Sequence, residues 1–190
     1  MYPEIALASA SPRRRELLQQ IAVSFSLVQV NVDERHLGNE SPQVYVARLA
    51  NAKALAGAEK IKFSVPVMGA DTIVVVDQHI LGKPVDQADF SRMMQLLSGR
   101  CHQVMTAVAL VGQHRTDDCC VITEVCFREL SAADITAYWQ TGEPLDKAGG
   151  YGIQGQGGRF VSHISGSYSA VVGLPLCETD LLLRNWQEQA

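Results

Sequence analysis

Apolar and polar positions along the chain fall into blocks whose periods distinguish strands from helices. Ile5-Ala6-Leu7-Ala8 is a short apolar run that stops at Ser9-Ala10-Ser11-Pro12-Arg13-Arg14-Arg15, after which Leu17, Leu18 and Ile21 recur at helical spacing. The pattern predicts strand, tight loop, helix. Ser11 is placed to cap that helix and Pro12 to occupy its first position, where an N–H has no internal partner. A second strand is expected from about Ser24 to Val30, ahead of the polar stretch Asn31-Val32-Asp33-Glu34. Ser41-Pro42 opens a helix in which Val46, Leu49, Ala50, Lys53 and Ala54 share one face, with Lys53 the outlier on an apolar stripe. Val65 to Val76 is apolar, Asp77-Gln78 can turn the chain, and Ile80 to Pro84 returns it, which predicts a β-hairpin.

Asp86 caps a further helix carrying Phe90, Met93, Met94 and Leu97, and Gly99 can end it in the left-handed conformation. Val104 to Val111 and Cys120 to Phe127 read as strands, and Ser131-x-x-Asp134 as a capping box for a helix ending at Gly142. The stretch from Glu143 to Gly158 is rich in glycine and unsuited to regular structure. Strands around Phe160 to Ile164 and Ala170 to Gly173, then a helix from about Pro175, complete the chain. Strands and helices interleave with hairpins among them, so the expected class is α/β, a mixed twisted sheet with flanking helices. Residues 1–190 are expected to form a single domain, with room in the pattern for two lobes around a cleft.

At 47% hydrophobic and 19% charged residues the composition is that of a globular domain large enough for one substantial core. The net charge of −4 gives no global attraction to nucleic acid or anionic membrane, so recognition of polyanions must be local. No stretch reaches the ~20 apolar residues of a membrane span, and the start carries no positive leader, so a cytoplasmic location is expected. The cysteines Cys101, Cys119, Cys120, Cys126 and Cys177 contain no C-x-x-C pair, which suggests reduced packing residues rather than a disulfide framework or zinc site.

Arg13, Arg14 and Arg15 place positive charge where a helix dipole is already positive, an arrangement that costs stability unless an anion is bound. Helix N–H groups, the hydroxyls of Ser9 and Ser11, and forked guanidiniums together suit phosphate; a solvated charge run is the plainer alternative. No G-x-x-x-x-G-K-[ST] is present. Lys53 alone reads as a snorkelling lysine. Asp71, inside an apolar strand pattern, needs a cation, a metal or a raised pKa, unless its carboxylate caps a bulge at Gly69. Lys83 can lie near Asp71 if the hairpin closes, and Glu34 is either a second metal carboxylate or an exposed turn residue. Gly149, Gly150, Gly152, Gly155, Gly157 and Gly158 permit close backbone approach at high entropic cost, serving a ligand or another backbone, or else only a flexible loop. Phosphoanhydride hydrolysis needs neutralised phosphates, a divalent ion and a carboxylate, and the sequence offers candidates for each.

These segments resemble the Maf nucleotide pyrophosphatases over the whole chain. Leu7 to Arg14 is similar to that family's opening signature, Gly69-Ala70-Asp71-Thr72 with Gly82-Lys83-Pro84 to its second, and Asp146 to Gly155 to its third. The resemblance implies an elongated fold related to the inosine-triphosphate pyrophosphatases, a site in a cleft, a divalent cation (Mg²⁺ or Mn²⁺) and a homodimer. Carried over position by position, Asp71 is the proton acceptor, Ser9, Arg13, Arg14, Lys53 and Lys83 lie on the phosphate side, and Glu34 is a further acidic residue that joins Asp71 at the metal. Lys147-Ala148-Gly149 and Ile153-Gln154-Gly155 resemble the branch acting on dTTP and UTP, with Gly150 where alanine is commoner. In that reading Gln154 and Thr72 contact the base, and the reaction releases a monophosphate and pyrophosphate. A nucleotide-binding regulator of septum formation with little turnover is the alternative. Nucleic acid and membrane are not expected partners.

Overall fold

The computed structural model describes residues 2–188. Strands β1 (Ile5–Ala8), β2 (Phe25–Leu27), β3 (Val67–Val76), β4 (His79–Leu81), β5 (Cys101–Val111), β6 (Thr116–Phe127) and β7 (Val161–Ser165) interleave with six helices among the described residues. These are α1 (Pro12–Gln20), α2 (Pro42–Lys60), α3 (Gln87–Leu97), α4 (Ala132–Trp139), α5 (Tyr168–Val172) and α6 (Leu176–Glu188). The strands form a mixed sheet in the order β2-β1-β3-β5-β6-β7, with β4 beside β3. β1 pairs in parallel with β2 and β3, whereas β3 with β4 and β6 with β7 are antiparallel. The α/β class expected from the interleaved periods is therefore the observed one.

Contacts divide the chain into two compact units: the first takes the chain through Asp71, Thr106–Val121 and everything from Gly173 on, and the second takes Thr72–Met105 and Ile122–Val172. In the first unit, Ile5, Leu7, Leu18, Leu49, Met68 and Leu174 are fully buried. The contact of α2 with β1 and β3 is made by small residues. A Cβ on Gly57 would lie 2.8 Å from Val67 and 3.1 Å from the Ala8 side chain, and one on Gly69 would run into the Ala50 carbonyl oxygen and within 2.5 Å of Ala54 N. Helix backbone thus sits directly on strand backbone at Gly69. In the second unit, Phe90, Met94, Leu97, Val104, Phe127, Tyr138, Tyr151 and Phe160 form one buried cluster.

Local signals place most boundaries. Ser41 accepts from Val44 N and Asp86 from Asp89 N, and Ser131 with Asp134 forms a reciprocal capping box. Gly99 has φ +66° after α3, and Asp77 and Gln78, at φ 48° and 65°, make the tight turn between β3 and β4.

Four expectations are corrected. Ser11 occupies the N-cap of α1 but its side chain makes no cap bond; instead Ser11 N donates to Ser9 Oγ, which folds the preceding loop. The second strand is shorter than Ser24 to Val30, ending at Leu27 with one more bond from Val28 N to Leu7 O. Residues 170–173, expected as a strand, begin in helix α5, because Ser167 receives the Ala170 and Val171 amides and is itself held by Thr123 Oγ1. The cysteines are not all free: Cys101 and Cys126, on neighbouring strands β5 and β6, are joined by a disulfide, while Cys119, Cys120 and Cys177 remain thiols. Strand register brings that pair together, and residue spacing alone does not reveal register.

Candidate active site

The site is built where β1 and the Val67–Asp71 part of β3 run parallel and α2 lies against them, within the first unit. Because Gly69 lets α2 approach to backbone contact, Lys53, on the same side of the helix as Ala50 and Ala54, meets Asp71 two residues along β3. Lys53 Nζ donates to Asp71 Oδ1 at 2.6 Å, and the two side chains retain only 14% and 13% of their exposure. The same nitrogen lies 2.7 Å from Glu34 Oε1. Two carboxylates therefore converge on one cationic position. Asp71 does not cap a bulge at Gly69, and Lys53 is not a snorkelling surface residue: it is the ion-pair partner that Asp71 requires.

Glu34 reaches this point from an irregular loop that is itself tied down. Tyr45 Oη donates to the Glu34 carbonyl at 2.7 Å, and Arg48 pairs with Glu40 at 2.6 Å while also donating to the Arg35 carbonyl. Burial, with Asp71 and Glu34 adding to it, pushes the Tyr45 phenol above its ordinary pKa. Sequence periodicity singled out neither Tyr45 nor Arg48. Their signal is positional, one helical turn apart at the start of α2 where the Glu34 loop ends.

At the other edge of the cluster, Arg14 Nε donates to the Gly173 carbonyl at 2.9 Å and Arg14 Nη1 to Ser9 Oγ at 3.2 Å. Arg14 is thus not part of a solvated charge run. Burial pulls its guanidinium below the ordinary pKa, with Asp71 and Glu34 opposing that shift and Arg13 adding to it. All four groups lie in one electrostatic neighbourhood, and an arginine stays charged throughout the physiological range. Arg13 stands partly exposed on the first turn of α1, a turn that contains no acidic residue.

Three further candidates belong to the second unit. Thr72 is half-buried on β3, and Lys83 is exposed beyond β4, which runs antiparallel to β3 with Leu81 opposite Val74. Gln154 is exposed within the turn closed by Gly155 N donating to Gly152 O at 3.1 Å. The glycine-rich segment is an ordered structure of three short 3₁₀ turns, Glu143–Asp146, Ala148–Gly150 and Gln156–Phe160, so the flexible-loop alternative does not hold. Its glycines answer to close neighbours: Gly149, at φ +67°, would set a Cβ 2.8 Å from Val74, and Gly150 one 2.9 Å from Phe90. Gly149 N also donates to Gly82 O, linking this segment to the loop that carries Lys83.

Among the described residues, the one group of three side chains with atoms close enough to share a metal is Cys101, Glu124 and Cys126, two of which are bonded to each other. No helix among the described residues is long and apolar enough to cross a membrane.

Comparison with known proteins covers nearly the whole chain. The family described as "Maf-like protein" matches residues 4–186. A protein of Salmonella typhimurium named dTTP/UTP pyrophosphatase is 57% identical over 180 residues, covering 95% of this chain and 91% of its own. Proteins of the same name from Vibrio cholerae and Pseudoalteromonas translucida are 56% identical over 183 residues and 54% over 186, covering 96% and 98% of this chain and 98% of each relative. Among solved structures, the Staphylococcus aureus Ham1 protein superposes with a TM-score of 0.48 at 14% identity, over 65% of this chain and 71% of its own. A nucleoside-triphosphatase / dITP/XTP pyrophosphatase from Mycobacterium abscessus gives 0.46 at 17% identity, over 68% and 76%. With one family description spanning nearly all of both units and relatives above half identity along its length, the chain belongs to the Maf-like protein family.

Proposed function

We propose that this chain hydrolyses dTTP and UTP to the nucleoside monophosphate and pyrophosphate, and that residues 1–190 act as one functional domain. The observation that carries the reading is the Glu34–Lys53–Asp71 cluster with Arg14 in the same electrostatic neighbourhood. A carboxylate repels a triphosphate, so holding Asp71 beside two cationic side chains, Lys53 and Arg14, suits water activation better than binding alone. The names of the relatives at 54–57% identity supply the nucleotide class.

In this reading Asp71 accepts a proton from the water that attacks the α-phosphorus, and the pyrophosphate oxygens leave toward positive charge. Arg13, Arg14, Lys53 and Lys83 neutralise the triphosphate, with Ser9, in the loop before α1, accepting from Arg14 and so orienting it. Exchange of the Lys53 ammonium from carboxylate to phosphate frees Asp71 for the water. The donor set also fits a hard divalent cation, Mg²⁺ or Mn²⁺, because Asp71 and Glu34 present carboxylate oxygens to one cationic position. When bound, such an ion supplies further neutralisation of the phosphate oxygens. Gln154 can donate to a carbonyl and accept from a ring N–H, the adjacent pair that thymine and uracil present, and Thr72 supplies a further polar contact. The proposal extends to a homodimer in the cytoplasm, on the strength of the family resemblance.

The test is a panel of nucleoside triphosphates offered to the purified protein with magnesium or manganese, with products separated. Monophosphate and pyrophosphate from dTTP and UTP, with weak turnover of CTP and purine nucleotides, are expected. Tight binding without pyrophosphate release would overturn the enzymatic reading, and preferred hydrolysis of 7-methyl-GTP would overturn the base assignment alone.

A further inference from the structure

Glu143 was not among the residues that sequence reasoning selected, yet the glycine-rich segment is folded around its carboxylate. Tyr138 Oη donates to Glu143 Oε1 at 2.7 Å, Gly157 N to the same oxygen at 3.1 Å, and Gln156 N to Oε2 at 2.9 Å. The Tyr138 hydroxyl in turn accepts from Gly152 N at 3.0 Å. Burial opposes ionisation of Glu143, but the donors from Tyr138, Gln156 and Gly157 outweigh it and hold the carboxyl below its ordinary pKa. The glycines are those this arrangement requires. A Cβ on Gly155 would collide with the Glu143 carboxylate, one on Gly152 would lie 3.1 Å from Oε1, and one on Gly157 would lie 2.6 Å from the Tyr138 oxygen.

The consequence falls on Gln154. It occupies the third position of the Gly152–Gly155 turn, exposed, with its anchors on both sides in the Tyr138–Glu143 pair: Gly152 before it, Gln156 and Gly157 after it. Two glycine-flanked residues would otherwise sample many orientations. We infer that Glu143, with Tyr138, is the positioning residue for base selection: a buried-edge carboxylate that templates the turn and so fixes where the Gln154 amide presents its donor and acceptor. The inference rests on the proposed dTTP and UTP activity, and Glu143 itself touches no substrate. Discrimination by hydrogen bonding depends on holding the reading group in place, since a mobile amide pairs with either pyrimidine edge.

The test compares kcat/KM for dTTP and CTP, and for 2-deoxyribose 5′-triphosphate, which has phosphates and sugar but no base. Glu143→Gln keeps the side-chain volume but puts an amide N–H where a backbone N–H donates. The dTTP-over-CTP preference is expected to fall about tenfold or more in this variant, the scale of losing one oriented polar contact, while turnover of the base-free probe changes less than twofold. Tyr138→Phe removes the hydroxyl and with it both its bond to Glu143 and the one it accepts from Gly152 N, and should shift the preference in the same direction; it decides the matter if Glu143→Gln fails to fold. A parallel fall on all three substrates, or an unchanged preference in the folded variants, would overturn the inference. If the unmodified protein shows no preference for dTTP over CTP, the base assignment itself fails and the inference with it, an outcome distinct from a preference that survives Glu143→Gln.

Discussion

Asp71 is the residue whose environment separates a chemical role from a structural one. A carboxylate with 13% of its side chain exposed and a lysine nitrogen at 2.6 Å is well satisfied as a structural pair, so the test is whether the charge can be removed while the shape is kept. Asp71→Asn retains an acceptor for Lys53 and is expected to leave the fold intact while lowering turnover by ~10²-fold or more. A near-normal rate in a folded variant would take Asp71 out of the mechanism. Arg14 calls for a different substitution, because the guanidinium proposed to bind phosphate also holds the Gly173 carbonyl. The dipole argument alone predicts that removing Arg14 leaves stability unchanged or raises it; the bond from Nε to the Gly173 carbonyl reverses that expectation. Arg14→Lys keeps the charge and loses the fork, so it should cost about 1–2 kcal/mol from the uncovered carbonyl and lower kcat/KM as well. Denaturant midpoints and steady-state kinetics on one preparation check both halves, and a variant as stable as the parent would show that the Gly173 contact is idle.

At the scale of elements, the site depends on how closely α2 can lie on β3. Gly69 has no conformational peculiarity that would mark it, and in sequence it reads as an interruption of an apolar strand. Its function is the space it leaves for the Ala50 carbonyl and the Ala54 amide. Gly69→Ala is therefore expected to push the helix away, destabilising the protein by about 1–3 kcal/mol and depressing activity beyond what the stability loss explains, because Lys53 and Asp71 separate. Urea unfolding with parallel rate measurements decides it; full activity in a destabilised variant would mean the Lys53 contact does not depend on this packing. The same element scale explains what could be read in advance. The caps at Ser41, Asp86 and Ser131 are local chemistry and were legible, as was the turn at Asp77-Gln78. Helix α5 was not, since its first turn is organised by Thr123, 44 residues away in sequence, acting through Ser167. Glu143 escaped notice for a related reason: an acid beside a glycine cluster has no meaning until the cluster folds back onto it.

For the whole molecule, the α/β class and the candidates Ser9, Arg14, Glu34, Lys53 and Asp71 were legible, while the burial of His102 was not, because a polar residue on β5 gives no sign of which strand face it takes. His102 is 3% exposed, its Nε2 lies 2.8 Å from the Tyr151 hydroxyl, and its Nδ1 has no hydrogen-bond partner among the described residues. Phe127 and Tyr151 meet its ring edge-on, and burial lowers its pKa to about 4. The unfolded chain therefore takes up a proton near pH 6.5 that the folded chain refuses until about pH 4. Stability contributed by neutral, buried His102 is complete above pH 6.5 and is lost as pH falls toward 4, by about 3 kcal/mol across that window. Asp33 and Glu40, each held at about 2 by an arginine hydrogen bond, withdraw their stabilisation only at lower pH, through the interval between the ordinary carboxylate range and about 2. The two contributions thus occupy largely separate windows. Thermal unfolding midpoints measured from pH 7.5 to 4.5 should fall progressively in the parent protein. In His102→Gln, which can still bond the Tyr151 hydroxyl but cannot titrate, the midpoint should start lower and stay nearly level over the same range. An equal slope in the two proteins would place the acid sensitivity elsewhere than at this histidine.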